Sequence, residues 1–208
     1  MRILGNLLII ISLVILIYVY GPVINAEIKY NLDKFSKVKY VIGDNEILNS
    51  FEKPLTPPNT DFSIVIPKIG ATAAIVANVN SQNKSEYVRA LKRGVAHAAG
   101  TSTPGEYGNT YLFAHSTDAF YNVNQYNAIF YLIGKLEKDD EIVVYYLGRE
   151  IKYKVSETKV VNAEEIKYLK GDENNLPAGR QEKTLTLQTC YPPGTTFKRL
   201  IVVAKQVE

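Results

Sequence analysis

The stretch TLTLQTCYPPGTTFKRLIVVA, Thr184 to Ala204, decides how this chain folds. β-Branched and apolar residues alternate with polar ones on both sides of a Pro-Pro-Gly sequence. This pattern predicts one strand over 183–190, a turn, and a second strand over 198–205. Alternation places three residues of the first strand toward the core: Leu185, Leu187 and Thr189. The thiol of Cys190 is therefore expected on the opposite face.

Arg199 lies near the start of the second predicted strand and shares a face with Phe197, Ile201 and Val203. A guanidinium among apolar residues is unusual unless it lines a groove or meets an anion. The alternative is an ion pair with a carboxylate at the edge of the sheet. A free cysteine often serves as a small buried hydrophobe, so an inert role for Cys190 stays open beside a nucleophilic one.

The N-terminus carries an apolar segment. No charged residue occurs from Leu7 to Tyr20, and extension back to Ile3 gives about the ~17–25 residues that span a bilayer. Residues 1–26 are therefore predicted to be an uncleaved signal anchor, a single transmembrane helix with its N-terminus inside. A cleaved signal peptide ending at Ala26 is the alternative. Either reading places the rest of the chain on the extracytoplasmic side.

The remaining chain divides at residue 60. Residues 27–60 are mixed in charge and end in a proline-rich sequence, which predicts an extracytoplasmic stalk with a short helix near 28–38. Residues 61–208 are predicted to form one domain of many short strands with minor helices, typical of an antiparallel β-barrel or sandwich. The other predicted strands are 62–66, 73–77, 110–115, 141–146 and 151–161. A helix is predicted over 85–93, capped by Ser81 or Ser85, with a loop over 94–109.

Charge and cysteine content exclude some functions. The net charge is only +3, and no basic cluster with interleaved aromatic residues indicates a nucleic-acid partner. A single cysteine in 208 residues excludes an internal disulfide. Because an unpaired thiol outside the cell is exposed to oxidation, its presence in an exported chain favours a functional explanation.

A cysteine nucleophile needs a partner that favours its thiolate. The chain has two histidines, and His115 is the better candidate because it ends a predicted strand, whereas His97 falls in a predicted loop. Arg199 can stabilise the negative oxygen that develops when a thiolate attacks an amide carbonyl. A cysteine, a histidine and an arginine suffice for acyl transfer through a thioester. For His115, a hydrogen-bonded core histidine is the alternative.

The sequence around these residues resembles a known family. Thr186 to Cys190, TLQTC, followed by Arg199 in KRLIV, is similar to the active-site signature of the sortases. Upstream, GVAHAAGT from Gly94 and the segment leading to His115 resemble the part of a sortase that carries its histidine. The similarity extends from about Phe62 to Ala204.

This resemblance implies an eight-stranded β-barrel held at the outer face of the cytoplasmic membrane. By analogy Cys190 forms a thioester with a sorting motif, often Leu-Pro-x-Thr-Gly, of a secreted protein. His115 exchanges protons with the leaving and incoming amines, while Arg199 positions the substrate and holds the oxyanion. An amine of a cell-wall precursor or of a pilin resolves the thioester. Three further residues are candidates for lining the substrate groove: Thr189, Val161 and Ile201.

Two segments of the sequence depart from the sortase pattern. Ala114 replaces the glycine that commonly precedes the catalytic histidine, and Asp33-Lys34-Phe35 lacks the proline of a pilus-type lid. No cofactor is expected, because calcium needs several carboxylates brought together and the acidic residues near 164 and 173 are merely adjacent in sequence.

L,D-transpeptidases lack support, since their serine-glycine-cysteine run is missing, and papain-like hydrolases place cysteine before histidine. An exported β-barrel binding module with a structural thiol is the rival outside enzymes.

Overall fold

The computed structural model describes residues 2–43, 50–116, 129–165 and 182–207. A long helix, α1 (Arg2–Phe35), is followed by two short strands, β1 (Lys39–Ile42) and β2 (Glu52–Leu55), which pair in parallel. The next elements are β3 (Phe62–Ile66), β4 (Ala71–Val79), α2 (Lys84–Leu91), β5 (Val95–Ala98) and β6 (Gly108–Phe113). They are followed by a 3₁₀ helix (Tyr131–Lys135), β7 (Glu141–Tyr146), β8 (Arg149–Asn162), β9 (Lys183–Tyr191) and β10 (Lys198–Gln206).

Strands β3 to β10 form a closed eight-stranded barrel in the order β10-β8-β7-β3-β4-β5-β6-β9. The predicted eight-stranded barrel is confirmed, but the expectation that it is antiparallel is wrong. β4 pairs with β5 and β6 pairs with β9 in parallel, whereas the other neighbours are antiparallel. The physical reason is the connection: α2 lies between β4 and β5, and such a crossover returns the chain to the end of the sheet where β4 began.

The barrel interior is filled by the apolar side chains that alternate along each strand. On β9 these are Leu185 and Leu187, and on β10 they are Leu200, Val202 and Ala204, all buried in one cluster. The inward facing that the period-two pattern predicted for β9 is therefore confirmed. As a result Cys190 and Arg199, which have the opposite parity, project from the outer face of the barrel wall.

Local predictions deviate at three places upstream of the site. The segment predicted as a loop over 94–109 contains β5, whose four residues are all buried. The cap of α2 is Asn83, not a serine, since its side chain accepts a hydrogen bond from the backbone N–H of Glu86. β6 ends at Phe113, so His115 follows the strand instead of belonging to it.

The region before the barrel also has more structure than a bare stalk. α1 continues to Phe35, and Leu55 of β2 packs with Val65 and Val143 on the outside of the barrel. Asp33 accepts hydrogen bonds from Tyr40 and from Lys53, each at 2.7 Å. The division of the chain at residues 26 and 60 stays a prediction.

Across the described residues, no helix meets both the length and the apolarity that a membrane crossing requires.

Candidate active site

The antiparallel pairing of β9 with β10 brings two predicted site residues together. Cys190 is the direct register partner of Arg199, and Arg199 in turn pairs with Val161 of β8. Residues paired in an antiparallel ladder have side chains on the same face, with Cβ atoms about 4.5–5.5 Å apart. Cys190 is half-buried, so its sulfur lies at the surface of the barrel wall without being fully exposed.

His115 reaches the same rung through the parallel pairing of β6 with β9. The register pairs Phe113 with Gln188, and the backbone contacts continue past the end of β6. Ala114 N–H donates to the Gln188 carbonyl at 3.1 Å, and Thr189 Oγ1 donates to the Ala114 carbonyl at 2.9 Å. His115 is the next residue and is half-buried, and continuation of the same register by one step brings it level with Cys190.

The guanidinium of Arg199 is held by the loop that joins β9 to β10. Its Nη1 donates to the carbonyls of Thr196 and Lys198, each at 3.0 Å. These contacts use one nitrogen of a group that has five N–H donors. Within the part of the chain that the structure describes, no partner is recorded for the other donors, which suit an anion or a developing oxyanion.

The side chain of Tyr111, on β6, contacts the face of β9 that carries Cys190. The hydroxyl of Tyr111 donates to Oε1 of Gln188, the residue two positions before Cys190 on that face. Burial raises the pKa of Tyr111, and the positive charge of Arg199 opposes that shift only in part. Tyr111 therefore stays a protonated donor and fixes the orientation of the Gln188 carboxamide.

The three groove candidates fall on two different faces. Val161 and Ile201 are buried and share the face of Cys190 and Arg199, in agreement with a groove on that side. Thr189 is buried on the other face, where it pairs with Leu200 of the core. It borders a separate small cavity next to Cys190. Their contact with a substrate stays a prediction.

That cavity, of about 200 Å³, opens beside Cys190 and is lined by residues from four parts of the chain. The β9–β10 pair contributes Cys190, Ser116 follows the predicted histidine, and Lys135 and Gly134 come from the 3₁₀ helix. The fourth contributor is Glu27 of α1, a residue that sequence reasoning assigned to a stalk. The available signal was the spacing of Glu27, Tyr30 and Asp33, which lie on one face of a helix.

His97 lies apart from this site. It is 4% exposed on β5, and its ring packs edge-on against Phe62 at 5.7 Å between centroids. Nδ1 accepts from the backbone N–H of Asn78 at 3.4 Å, so Nε2 carries the proton and donates to the Ser102 carbonyl at 3.2 Å. Burial lowers the pKa of His97, against a smaller raising effect of the Ser102 carbonyl. His97 is thus a neutral core histidine.

This environment predicts a pH dependence of stability. The pKa of His97 lies below its unfolded value of about 6.5, so its stabilising contribution is complete above pH ~6.5 and is lost as the pH falls. Thermal unfolding between pH 7.5 and 5.5 should show a decrease in Tm for the wild type. His97→Gln should start from a lower Tm and fall less steeply over the same range. Parallel pH profiles of the two proteins would contradict this assignment.

Two other features of the described residues do not contribute to the site. No group of three or more His, Cys, Asp or Glu side chains in that part of the chain is placed to hold a metal ion. The acidic residues 172 and 173 lie outside the described residues. A larger cavity of about 580 Å³ lies between α1, β1 and the turn after β3, and neither Cys190 nor Arg199 lines it.

A named relative and several solved structures are similar to this chain. Sortase D of Bacillus subtilis (strain 168) is 28% identical over 145 residues, which cover 68% of this chain and 61% of that protein, less than two thirds of its length. The crystal structure of sortase C-1 from Actinomyces oris has a TM-score of 0.56 and 29% identity, covering 71% of this chain and 73% of that one. The Clostridium perfringens sortase D5 transpeptidase has a TM-score of 0.54 and 27% identity, covering 71% and 79%.

A family model gives the most direct assignment. The Sortase domain model matches residues 64–207, which extend from within the first strand of the closed barrel, β3, to beyond the end of its last, β10. The matched region contains the β9–β10 pair with Cys190 and Arg199 and the segment that carries His115. The chain therefore belongs to the sortase family.

Proposed function

We propose that this chain is a cysteine transpeptidase that cuts a sorting motif in a secreted protein and joins the new carboxyl end to an amine. The observation that carries the proposal is the shared rung: Cys190 pairs directly with Arg199, and His115 comes level with both. Membership of a family of cysteine transpeptidases supports the same chemistry.

In the first half-reaction, the sulfur of Cys190 attacks the scissile carbonyl carbon. A C–S bond forms, the C–N bond breaks, and His115 gives a proton to the departing amine. The free N–H groups of Arg199 stabilise the oxygen that becomes negative during the attack. In the second half-reaction an incoming amine attacks the thioester, the C–S bond breaks, and the proton of the amine returns through His115.

The expected donors are secreted proteins with a motif of the Leu-Pro-x-Thr-Gly kind, and the expected acceptor is an amine of a cell-wall precursor or of a pilin. We expect an extended peptide to follow the outer face of the barrel, where Val161 pairs with Arg199 and Ile201 lies two residues further along β10 on the same face. No nucleic-acid partner and no cofactor are proposed.

We propose further that α1 attaches the domain to the cytoplasmic membrane as a single-pass anchor, with the barrel on the extracytoplasmic side. The support is the exposure of its large apolar side chains from Ile3 to Tyr18, a surface that a soluble monomer rarely leaves in water. Membrane fractionation is the test: deletion of residues 2–20 should release the protein, and retention in the membrane would contradict the anchor.

The catalytic proposal is tested with the full chain in detergent, a panel of peptides with sorting motifs, and glycinamide as the amine. The expected results are a covalent acyl-enzyme detected by mass spectrometry on the peptide that contains Cys190, and a ligated product that needs the amine. A binding module with a structural thiol would give neither species with any peptide of the panel, and that outcome would overturn the proposal.

A further inference from the structure

The small cavity beside Cys190 contains a carboxylate that the proposed acyl-transfer steps do not use. Glu27 of α1 lines the cavity together with Cys190, and its Oε2 lies 3.3 Å from Nζ of Lys135. Arg199, Val161 and Ile201, which share the outer face with Cys190, are not among the residues that line this cavity. Cys190 therefore pairs with Arg199 on one strand neighbour and also borders a cavity that contains a carboxylate.

The helix that supplies this carboxylate is held by contacts in the two turns that follow Glu27. Tyr30, one turn further, packs against the core cluster, and its ring lies 5.7 Å from Nζ of Lys135. Asp33, one more turn along, accepts hydrogen bonds from Tyr40 and Lys53. Because these residues share one helix face, the contacts determine which way Glu27 points.

Another cation can replace Lys135 as the partner of the Glu27 carboxylate. The side chains of Glu27 and Lys135 are 33% and 40% exposed, and an ion pair in such a position contributes little to stability. Lys135 has a second contact, with the face of the Tyr30 ring, that does not depend on the carboxylate. A second ammonium group that enters the cavity can therefore replace Lys135 at small cost.

We propose that this cavity is the binding site for the acceptor amine, which Glu27 recognises as an ammonium ion. The inference rests on the proposed transpeptidase function and assigns the entrance of its second substrate. The acyl group occupies the Arg199 face, and the amine approaches the thioester from the α1 side. Ser116, the neighbour of His115, lines the same cavity, so the proton acceptor borders the path of the amine.

The protons balance as follows. An ammonium nitrogen loses two protons on becoming an amide nitrogen. One proton is released to solvent as the ammonium leaves Glu27 and becomes a free amine. The second passes to His115 while the C–N bond forms, and then to the sulfur as the C–S bond breaks. The products are the ligated peptide and the free thiol.

The test compares two nucleophiles on the full chain at a fixed concentration of sorting peptide. Glycinamide is largely an ammonium ion at neutral pH, whereas hydroxylamine is uncharged and gains nothing from the carboxylate. Glu27→Gln should raise the KM for glycinamide about tenfold, the loss of one charge-assisted contact, without a comparable change for hydroxylamine. Lys135→Met should lower the KM for glycinamide, because it removes the competing cation.

Glu182→Gln is the matched control, since Glu182 pairs with Lys205 at 2.7 Å at the other end of β9. It should leave the preference between the two nucleophiles unchanged. Equal effects of Glu27→Gln on both nucleophiles, or an increase in KM for Lys135→Met, would show that the pair only holds α1 and would overturn the inference. If the wild type forms no thioester, both the proposed function and this inference fail. If the wild type forms the thioester but the variants give one of those contrary results, only the acceptor site is refuted.

Discussion

Ligation is expected to fall by about 10²- to 10⁴-fold in a His115→Ala variant, the range that one general acid and base contributes. Cys190→Ala should form no thioester at all. The reason is the shared rung: without the imidazole, neither the leaving nor the entering amine has a proton partner beside the sulfur. Quantification of the ligated peptide by mass spectrometry, with Tm measured in parallel, checks both variants.

His97→Gln provides the control for the same residue type. It should lower Tm because His97 is buried and hydrogen-bonded in β5, yet keep ligation near the wild-type rate at a temperature where it is folded. His115→Ala is therefore expected to lose ligation and keep its Tm, whereas His97→Gln is expected to lower Tm and keep ligation. A large decrease in Tm for His115→Ala, with ligation retained in the folded fraction, would assign His115 to the core and remove it from the mechanism.

Replacing Arg199 by lysine should reduce ligation by about 10²- to 10³-fold, the loss expected when an oxyanion donor is removed. The charge is kept, but a lysine cannot donate to the carbonyls of Thr196 and Lys198 and to a developing oxyanion in the same planar arrangement. Single-turnover acylation by a sorting peptide is the measurement, because the effect should lie in thioester formation.

Arg149→Lys is the matched control, an exposed arginine at the start of β8 that lies away from Cys190. It should acylate at the wild-type rate. Acylation near normal in Arg199→Lys would exclude Arg199 from oxyanion stabilisation. The same loss of acylation rate in both variants would indicate that any arginine-to-lysine replacement on the barrel slows acylation, and that Arg199 has no specific role.

Much of the barrel was predictable because its strands carry strong local signals. The strand over 141–146 was predicted with the bounds of β7, and β9 and β10 each extend only one residue beyond their predicted ends. The inward facing of Leu185 and Leu187 followed from the two-residue period alone. The order of histidine, cysteine and arginine along the chain was also readable from the sequence.

The sequence missed features that depend on distant neighbours. β5 is a short alanine- and glycine-flanked run, and it becomes a strand because β4 and β6 pair with it on either side. The parallel pairs were hidden for the same reason, since pairing direction depends on where each connection returns the chain. Glu27 was assigned to a stalk because its helical spacing with Tyr30 and Asp33 does not indicate which part of the barrel that helix face meets, and only the tertiary structure places it beside Cys190.

By itself the sequence determined most of the extended segments, the buried face of β9 and the candidates for catalysis, because period, β-branching and turn residues act over a few positions. The tertiary structure alone decided that Cys190 meets Arg199 on one rung, that His115 comes level with them, and that Glu27 borders the cavity. Those relations join residues far apart in the chain, and they depend on strand register and barrel closure, which no local pattern specifies.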